Sequence, residues 1–214
     1  HIIDQGFYDV VEKDAMAGII GIRFGFTEGP VWHPGGFLLF SDIPENTIYQ
    51  WNGRRYSVYK TPSNHSNGLL VLKDGSLIIC EHGTRRISLA REGRPDSVIA
   101  DSYLGRRLNS PNDLCRTREG VLFFTDPPWG LEGGNNDPSK ELAFNGVFRL
   151  ENGELSLVDS SLSWPNGIAL SPDETSLYVA NMENVFVDGE NKNDVHWLQY
   201  ALDDKARVTG KEVF

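Results

Sequence analysis

Side chains that offer oxygen ligands recur at two positions of four similar segments of the chain. Each segment begins with one such residue and ends with another, fourteen or fifteen residues later. The residues at the start are Glu28, Asn67, Asn112 and Asn166. The residues at the end are Asp42, Glu81, Asp126 and Asn181. Carboxylate and amide oxygens are hard donors, which suit Ca²⁺ better than zinc or copper.

The four segments are predicted to be β-hairpins of one repeating unit. They cover residues 28–42, 67–81, 112–126 and 166–181, and each has two apolar stretches joined by a turn rich in Gly, Pro, Asp or Glu. Two further apolar stretches follow each hairpin, so the unit contains four antiparallel strands and repeats every 39 to 54 residues. This pattern is typical of a propeller blade. An immunoglobulin-like sandwich, the competing all-β fold, does not explain why one hairpin recurs.

A propeller would bring the repeated residues together at one rim of its channel. The first strand of each blade lines the axis and the second runs back, so both sets of oxygen donors reach the same end. A single Asn-Gly pair is more often a turn than a ligand. Four residues at one repeat position, including Glu28, favour a cation site, whereas acids at the strand ends are equally explained as caps. Residues 6–13 are predicted to form an outer strand that closes the ring with a blade still to come.

Composition limits the partners of the protein. The chain has 214 residues, 39% of them hydrophobic, and a net charge of −10, which argues against a nucleic-acid partner. The longest apolar runs, 37–40 and 120–124, are much shorter than the roughly 20 residues that cross a bilayer, so no membrane partner is expected. The opening residues show no signal-peptide pattern, which leaves the compartment of this soluble protein open between cytoplasm and periplasm. The oligomeric state is not predicted.

Most of the chain is covered by four specific motifs: FTEGPVW, SNGLLVLKDGSLIICEH, SPNDLCRTREGVLFFTDPPWGL and WPNGIALSPDETSLYVAN. Together they resemble the gluconolactonase and regucalcin group of six-bladed propellers, and its bacterial gluconolactonase branch in particular. The resemblance implies that residues 1–214 form a single propeller domain with about four blades and an N-terminal closing strand, without the C-terminal blades. It also implies one divalent cation at the channel, usually Ca²⁺, with Zn²⁺, Mg²⁺ or Mn²⁺ as alternatives. Matched by motif, its ligands are Glu28, Asn112 and Asn166, although Asn112 alternatively faces the substrate.

The family's remaining ligand is an Asp in a PDGxxVD-like motif of the next blade, which also resembles the catalytic base. The sequence ends at KEVF, where that blade would begin, so the catalytic residue is expected beyond Phe214. His82 is a candidate for assisting catalysis, either by binding a sugar hydroxyl or by moving a proton. The alternative is a purely structural histidine at the rim of the channel. The predicted substrate contacts are Asn67, His82, Asp126 and Trp129. Trp129 is equally explained by packing between blades.

The resemblance therefore implies a metal-dependent hydrolase that opens a sugar lactone, in which the cation polarises the carbonyl and water attacks it. Two alternatives remain open: a calcium-dependent phosphotriesterase on the same scaffold, and a propeller that binds calcium without catalysis. The sequence contains no GxSxG, HExxH or P-loop motif. An Asp in a PDG-type motif of the next blade would favour the enzyme over the calcium binder.

Overall fold

The structure is all-β. This computed structural model describes residues 5–182 and 195–214, and within them the chain forms four antiparallel sheets of four strands each. Sheet I contains β1 (Thr27–His33), β2 (Phe37–Asp42), β3 (Thr47–Trp51) and β4 (Tyr56–Lys60). Sheet II contains β5 (Ser66–Val71), β6 (Leu77–Glu81), β7 (Arg86–Ala90) and β8 (Ser97–Ala100). A short ribbon of β9 (Ser102–Tyr103) and β10 (Arg106–Arg107) follows.

Sheets III and IV repeat the same order. Sheet III contains β11 (Leu114–Arg116), β12 (Leu122–Asp126), β13 (Gly146–Glu151) and β14 (Glu154–Asp159). Sheet IV contains β15 (Pro165–Leu170), β16 (Ser176–Met182), β17 (Val195–Leu202) and β18 (Val208–Val213). In every sheet the strands are neighbours in chain order. The four predicted hairpins and the strands that follow them are therefore confirmed.

The hydrophobic core lies between consecutive sheets. In β6, Ile79 packs in one cluster with Leu39 of sheet I, whereas the adjacent Ile78 packs with Phe124 of sheet III. In β12, Phe123 turns the other way and packs with sheet IV. Because successive side chains of a strand point to opposite faces, a sheet covered on both faces has an unbroken apolar run. This explains why β6 and β12 are buried at every residue and show no polar alternation in sequence.

The first strands of consecutive sheets lie side by side. Strand β1 contacts β5, β5 contacts β11, and β11 contacts β15. Four-stranded sheets that follow one another with adjacent first strands have the arrangement of consecutive propeller blades. The N-terminal ends of these first strands thus lie on one side of the molecule.

The prediction that residues 6–13 form an outer strand was wrong. Residues Gln5–Asp9 form a 3₁₀ helix, and the first strand among the described residues begins at Thr27. The carbonyl oxygen of Phe7 accepts local hydrogen bonds from the backbone of Val10 (3.1 Å) and Val11 (3.0 Å). Backbone groups engaged in such local bonds are not available for a sheet ladder, which is what an outer strand requires.

A second 3₁₀ helix, Gly134–Asn136, lies in the long loop between β12 and β13. None of the described helices has the length and apolar character needed to cross a bilayer.

Candidate functional site

A cavity of about 480 Å³ lies where the first strands begin. All four residues that start the repeated segments line it: Glu28, Asn67, Asn112 and Asn166. His82 is also part of the lining. The remaining lining residues are apolar: Phe26, Ile43, Pro44, Trp129 and Met182. The structure therefore brings the three predicted ligands together in one cavity. Three of the four predicted substrate contacts line the same cavity: Asn67, His82 and Trp129.

β-Bulges help to aim these side chains. Three first strands shift register against their hairpin partners, between Glu28 and Val31, between Ser66 and Leu69, and between Pro165 and Ile168. Each shift falls at or directly after the residue that lines the cavity. A bulge bends its strand and redirects a side chain, so it can turn a residue at a strand end towards the axis.

The glycines after Glu28 and Asn67 have a packing role that is visible only in the structure. A Cβ on Gly29 would lie 2.2 Å from the carbonyl oxygen of Asn67, and one on Gly68 would lie 2.6 Å from that of Asn112. The backbone N–H of Gly68 also donates a 2.7 Å hydrogen bond to the same Asn112 oxygen. These glycines allow the first strands to approach closely, whereas the sequence pattern alone suggested turn residues.

Two cavity residues have a backbone carbonyl that is hydrogen-bonded by a hydroxyl group of the preceding sheet. The hydroxyl of Ser41 donates a 2.8 Å hydrogen bond to the carbonyl of Asn67, and that of Thr125 donates a 2.6 Å bond to the carbonyl of Asn166. Both hydroxyls lie one residue before the end of the second strand of their sheet. Sequence reasoning missed this role, although a hydroxyl residue before the terminal acid in two repeats was the available signal.

Two of the cavity amides are not satisfied by the protein around them. The amides of Asn112 and Asn166 have no side-chain hydrogen-bond partner among the described residues, although Asn112 is only 5% exposed. Burial raises the pKa of Glu28, a hydrogen bond from the Gly29 backbone lowers it, and the charge of Asp113 raises it further. Because no described group bonds to these two amides, their oxygens are available for a ligand. A bound cation would offset the repulsion on Glu28.

The acids and amide at the strand ends have a structural role instead. Asp42, Asp126 and Asn181 each accept a hydrogen bond from a backbone N–H in the loop that leads into their own sheet. Glu81, which is fully buried, accepts from Arg86 Nε at 2.6 Å. These residues close the loop onto the end of the second strand, as expected for caps.

Asp126 is the predicted substrate contact that the structure does not bring to the cavity. It is fully buried, and its Oδ2 accepts a 2.7 Å hydrogen bond from the backbone of Asn109. Burial raises the pKa of Asp126 to about 7, against the opposing hydrogen bonds of the Asn109 and Ser110 backbone. It is not part of the lining, so the prediction that Asp126 contacts the substrate is not supported by the position of its side chain.

His82 is held against Asn67. The Nδ2 of Asn67 and the Nε2 of His82 are 3.2 Å apart, and both residues are almost completely buried. Burial, followed by the charge of His65, lowers the pKa of His82 to about 4. The imidazole is therefore uncharged at neutral pH.

A tight turn places Trp129 beside the cavity. The hydroxyl of Ser110 donates a 2.6 Å hydrogen bond to the carbonyl of Pro127 and accepts a 2.8 Å bond from the backbone N–H of Gly130. The Trp129 ring, 39% exposed, contacts the ring of Trp164 with centroids 4.3 Å apart. Ser110 thus fixes both ends of the turn that carries the aromatic wall.

The donor set differs from that of a transition-metal site. Across residues 5–182 and 195–214, no group of three or more His, Cys, Asp or Glu side chains is placed to hold a metal. The cavity instead combines one carboxylate with three amides. Such a set fits a hard cation such as Ca²⁺, which accepts carboxylate and amide oxygens in flexible geometry.

Comparisons with known proteins agree with this architecture. Residues 26–214 match the family described as SMP-30/Gluconolactonase/LRE-like region. A gluconolactonase of Zymomonas mobilis is 43% identical over 191 residues, which cover 81% of this chain and 54% of the relative. The chain thus spans about half the length of that relative.

Solved structures extend the likeness to the fold. A gluconolactonase of Xanthomonas campestris is 32% identical and superposes with a TM-score of 0.76, covering 90% of this chain and 63% of that one. A calcium-binding protein, regucalcin, of Agrobacterium tumefaciens is 20% identical with a TM-score of 0.68, covering 90% of this chain and 60% of that one. The second likeness concerns the fold alone. On the strength of the match over residues 26–214, the chain belongs to the SMP-30/gluconolactonase/LRE-like family.

Proposed function

We propose that this chain is part of a lactone hydrolase that opens a sugar lactone. The observation that carries the proposal is the cavity that gathers the carboxylate of Glu28 with the amides of Asn112 and Asn166, two amides that have no side-chain hydrogen-bond partner among the described residues. The 43% identity to a gluconolactonase supports a sugar lactone as the substrate class. In this proposal residues 1–214 belong to a single six-bladed propeller domain, whose other blades are supplied by the rest of the protein.

Glu28, Asn112 and Asn166 are the proposed ligands of a divalent cation in the cavity. Calcium is the first choice because the donors are hard oxygens, with Zn²⁺, Mg²⁺ and Mn²⁺ as alternatives. When bound, the cation supplies Lewis-acid polarisation of the lactone carbonyl.

The residues of the chain itself bind and orient the substrate in this proposal. Asn67 offers an amide to the lactone or to the cation, and the Trp129 ring forms an apolar wall against the sugar carbons. Among the described lining residues Glu28 is the only carboxylate, so a ligand role for Glu28 requires a separate base. We propose that this base is an Asp of the next blade.

The direct test uses the full-length protein, stripped of metal with a chelator and assayed on D-glucono-1,5-lactone. We expect hydrolysis above the spontaneous rate to be lost with the chelator and restored by adding one divalent ion at a time. Glu28→Gln should weaken metal binding in calorimetric titration while the protein stays folded. Unchanged binding in Glu28→Gln would refute the proposed ligand set.

The same preparation separates the alternatives. Hydrolysis of a fluorophosphate without lactonase activity would identify a phosphotriesterase. Calcium binding without hydrolysis of either substrate would identify a binding protein.

A further inference from the structure

One amide of the cavity is held by a neutral histidine. Asn67 Nδ2 lies 3.2 Å from His82 Nε2. An amide nitrogen can only donate a hydrogen bond, so Nε2 must accept it and the ring proton must lie on Nδ1. A neutral imidazole has one donor and one acceptor nitrogen, so this assignment uses both without conflict.

The direction of this hydrogen bond determines which end of the amide meets the cavity. With Nδ2 turned to the histidine, Asn67 Oδ1 has no hydrogen-bond partner among the described residues, and Asn67 lines the cavity. An unpaired amide oxygen beside Asn112 and Asn166 adds to the same set of hard donors. The reverse orientation would instead present a nitrogen donor, which repels a cation.

His82 is itself firmly placed. It is 5% exposed, and its backbone N–H donates a 3.2 Å hydrogen bond to the carbonyl of His65. The turn that carries Trp129 covers it, since a Cβ on Gly130 would lie 2.7 Å from His82 Cβ. A side chain enclosed in this way can fix the orientation of its neighbour.

We infer that His82 is a positioning residue, which holds the amide of Asn67 with Oδ1 facing the cavity as a further oxygen donor for the proposed cation. This inference rests on the proposed function for the identity of the ligand. It assigns His82 an indirect role, through Asn67, in place of direct contact with the substrate or proton transfer. It also makes Asn67 part of the cation site.

Calcium titration of the full-length protein by calorimetry tests the coupling. His82→Leu removes the acceptor and should weaken Ca²⁺ binding by about 10- to 100-fold, the usual cost of removing a group that orients a ligand. His82→Gln keeps an acceptor oxygen near the Nε2 position and should restore most of the affinity. In an Asn67→Ala background His82→Leu should cause no further loss, because the residue through which it acts is gone.

The outcomes separate this inference from the proposed function. If the wild-type protein binds no divalent ion, the proposed cation site fails. If the wild type binds Ca²⁺ and His82→Leu does not weaken it, or weakens it equally with and without Asn67, the positioning role is refuted and the cation site stands.

A spectroscopic measurement does not depend on the leucine variant folding. In protein labelled with ¹⁵N-histidine, the ring signals of His82, assigned by their loss in His82→Gln, should show the neutral tautomer protonated at Nδ1. Protonation at Nε2 would mean that the Asn67 oxygen faces the histidine, which would overturn the inference.

Discussion

The hydroxyl of Thr125 donates a 2.6 Å hydrogen bond to the backbone carbonyl of Asn166. The two residues belong to different sheets, III and IV, and Asn166 lines the cavity. Ser41 of sheet I holds the carbonyl of Asn67 in sheet II in the same way. The backbone of a cavity residue is thus positioned by the sheet before it, which couples the packing of the sheets to the geometry of the site.

Thr125→Val keeps the shape of the side chain and removes the hydroxyl. We expect the free energy of unfolding to fall by about 1–3 kcal/mol, because the partly buried carbonyl of Asn166 loses its partner. Calcium affinity should also fall, since Asn166 is a proposed ligand. Urea denaturation and calorimetric titration measure the two effects. Thr209→Val, on the exposed strand β18, is the matched control and should change stability by less than about 0.5 kcal/mol.

Gly68→Ala should separate the first strands of sheets II and III. Its Cβ would lie 2.6 Å from the carbonyl oxygen of Asn112 and 2.8 Å from the Cα of Asp113, so backbone must move. We expect a loss of about 1–3 kcal/mol in the free energy of unfolding, as for overpacked interiors. Gly210→Ala is the control, because its Cβ would meet only Ala201 Cβ at 3.8 Å. Equal stability of the two variants would contradict this packing role.

Asp126 should make stability depend on pH. Its pKa is raised from 3.8 to about 7 in the folded chain, so the folded state holds the proton more tightly than the unfolded state. The free energy of unfolding should therefore fall as pH rises from about 4 to about 7, and the contribution should level off above that range. Asp126→Asn removes this titration. Denaturation of both proteins between pH 4 and pH 8 should show the difference growing in that window, whereas parallel curves would show that Asp126 does not titrate there.

Ser110→Ala should release the turn that carries Trp129, because both of its hydrogen bonds to the turn are lost. We expect acrylamide to quench Trp129 more strongly, measured as the difference from the same variant carrying Trp129→Phe. In the proposed lactonase KM should rise more than kcat falls, because the wall binds substrate and takes no part in bond breaking. Ser97→Ala, on the exposed end of β8, should change neither value.

The repeat could be predicted from the sequence because the contacts within a hairpin join residues that are close in the chain. The turn residues and the apolar stretches around them lie within about fifteen residues, and each hairpin folds from its own pattern. The prediction of an outer strand at residues 6–13 was wrong because such a strand is not local. An outer strand depends on a partner far away in sequence, and its apolar content resembles that of a short local helix.

The sequence by itself determined the four-stranded unit and the repeat position of Glu28, Asn67, Asn112 and Asn166. Only the tertiary structure decided which polar residues are available to a ligand. Asp126 and Glu28 are both acids at a repeated position, yet one is buried under a loop that it closes, and the other lines the cavity. That distinction arises from contacts between sheets, bulges in the first strands and the absence of a Cβ on Gly29 and Gly68, none of which a one-dimensional pattern records.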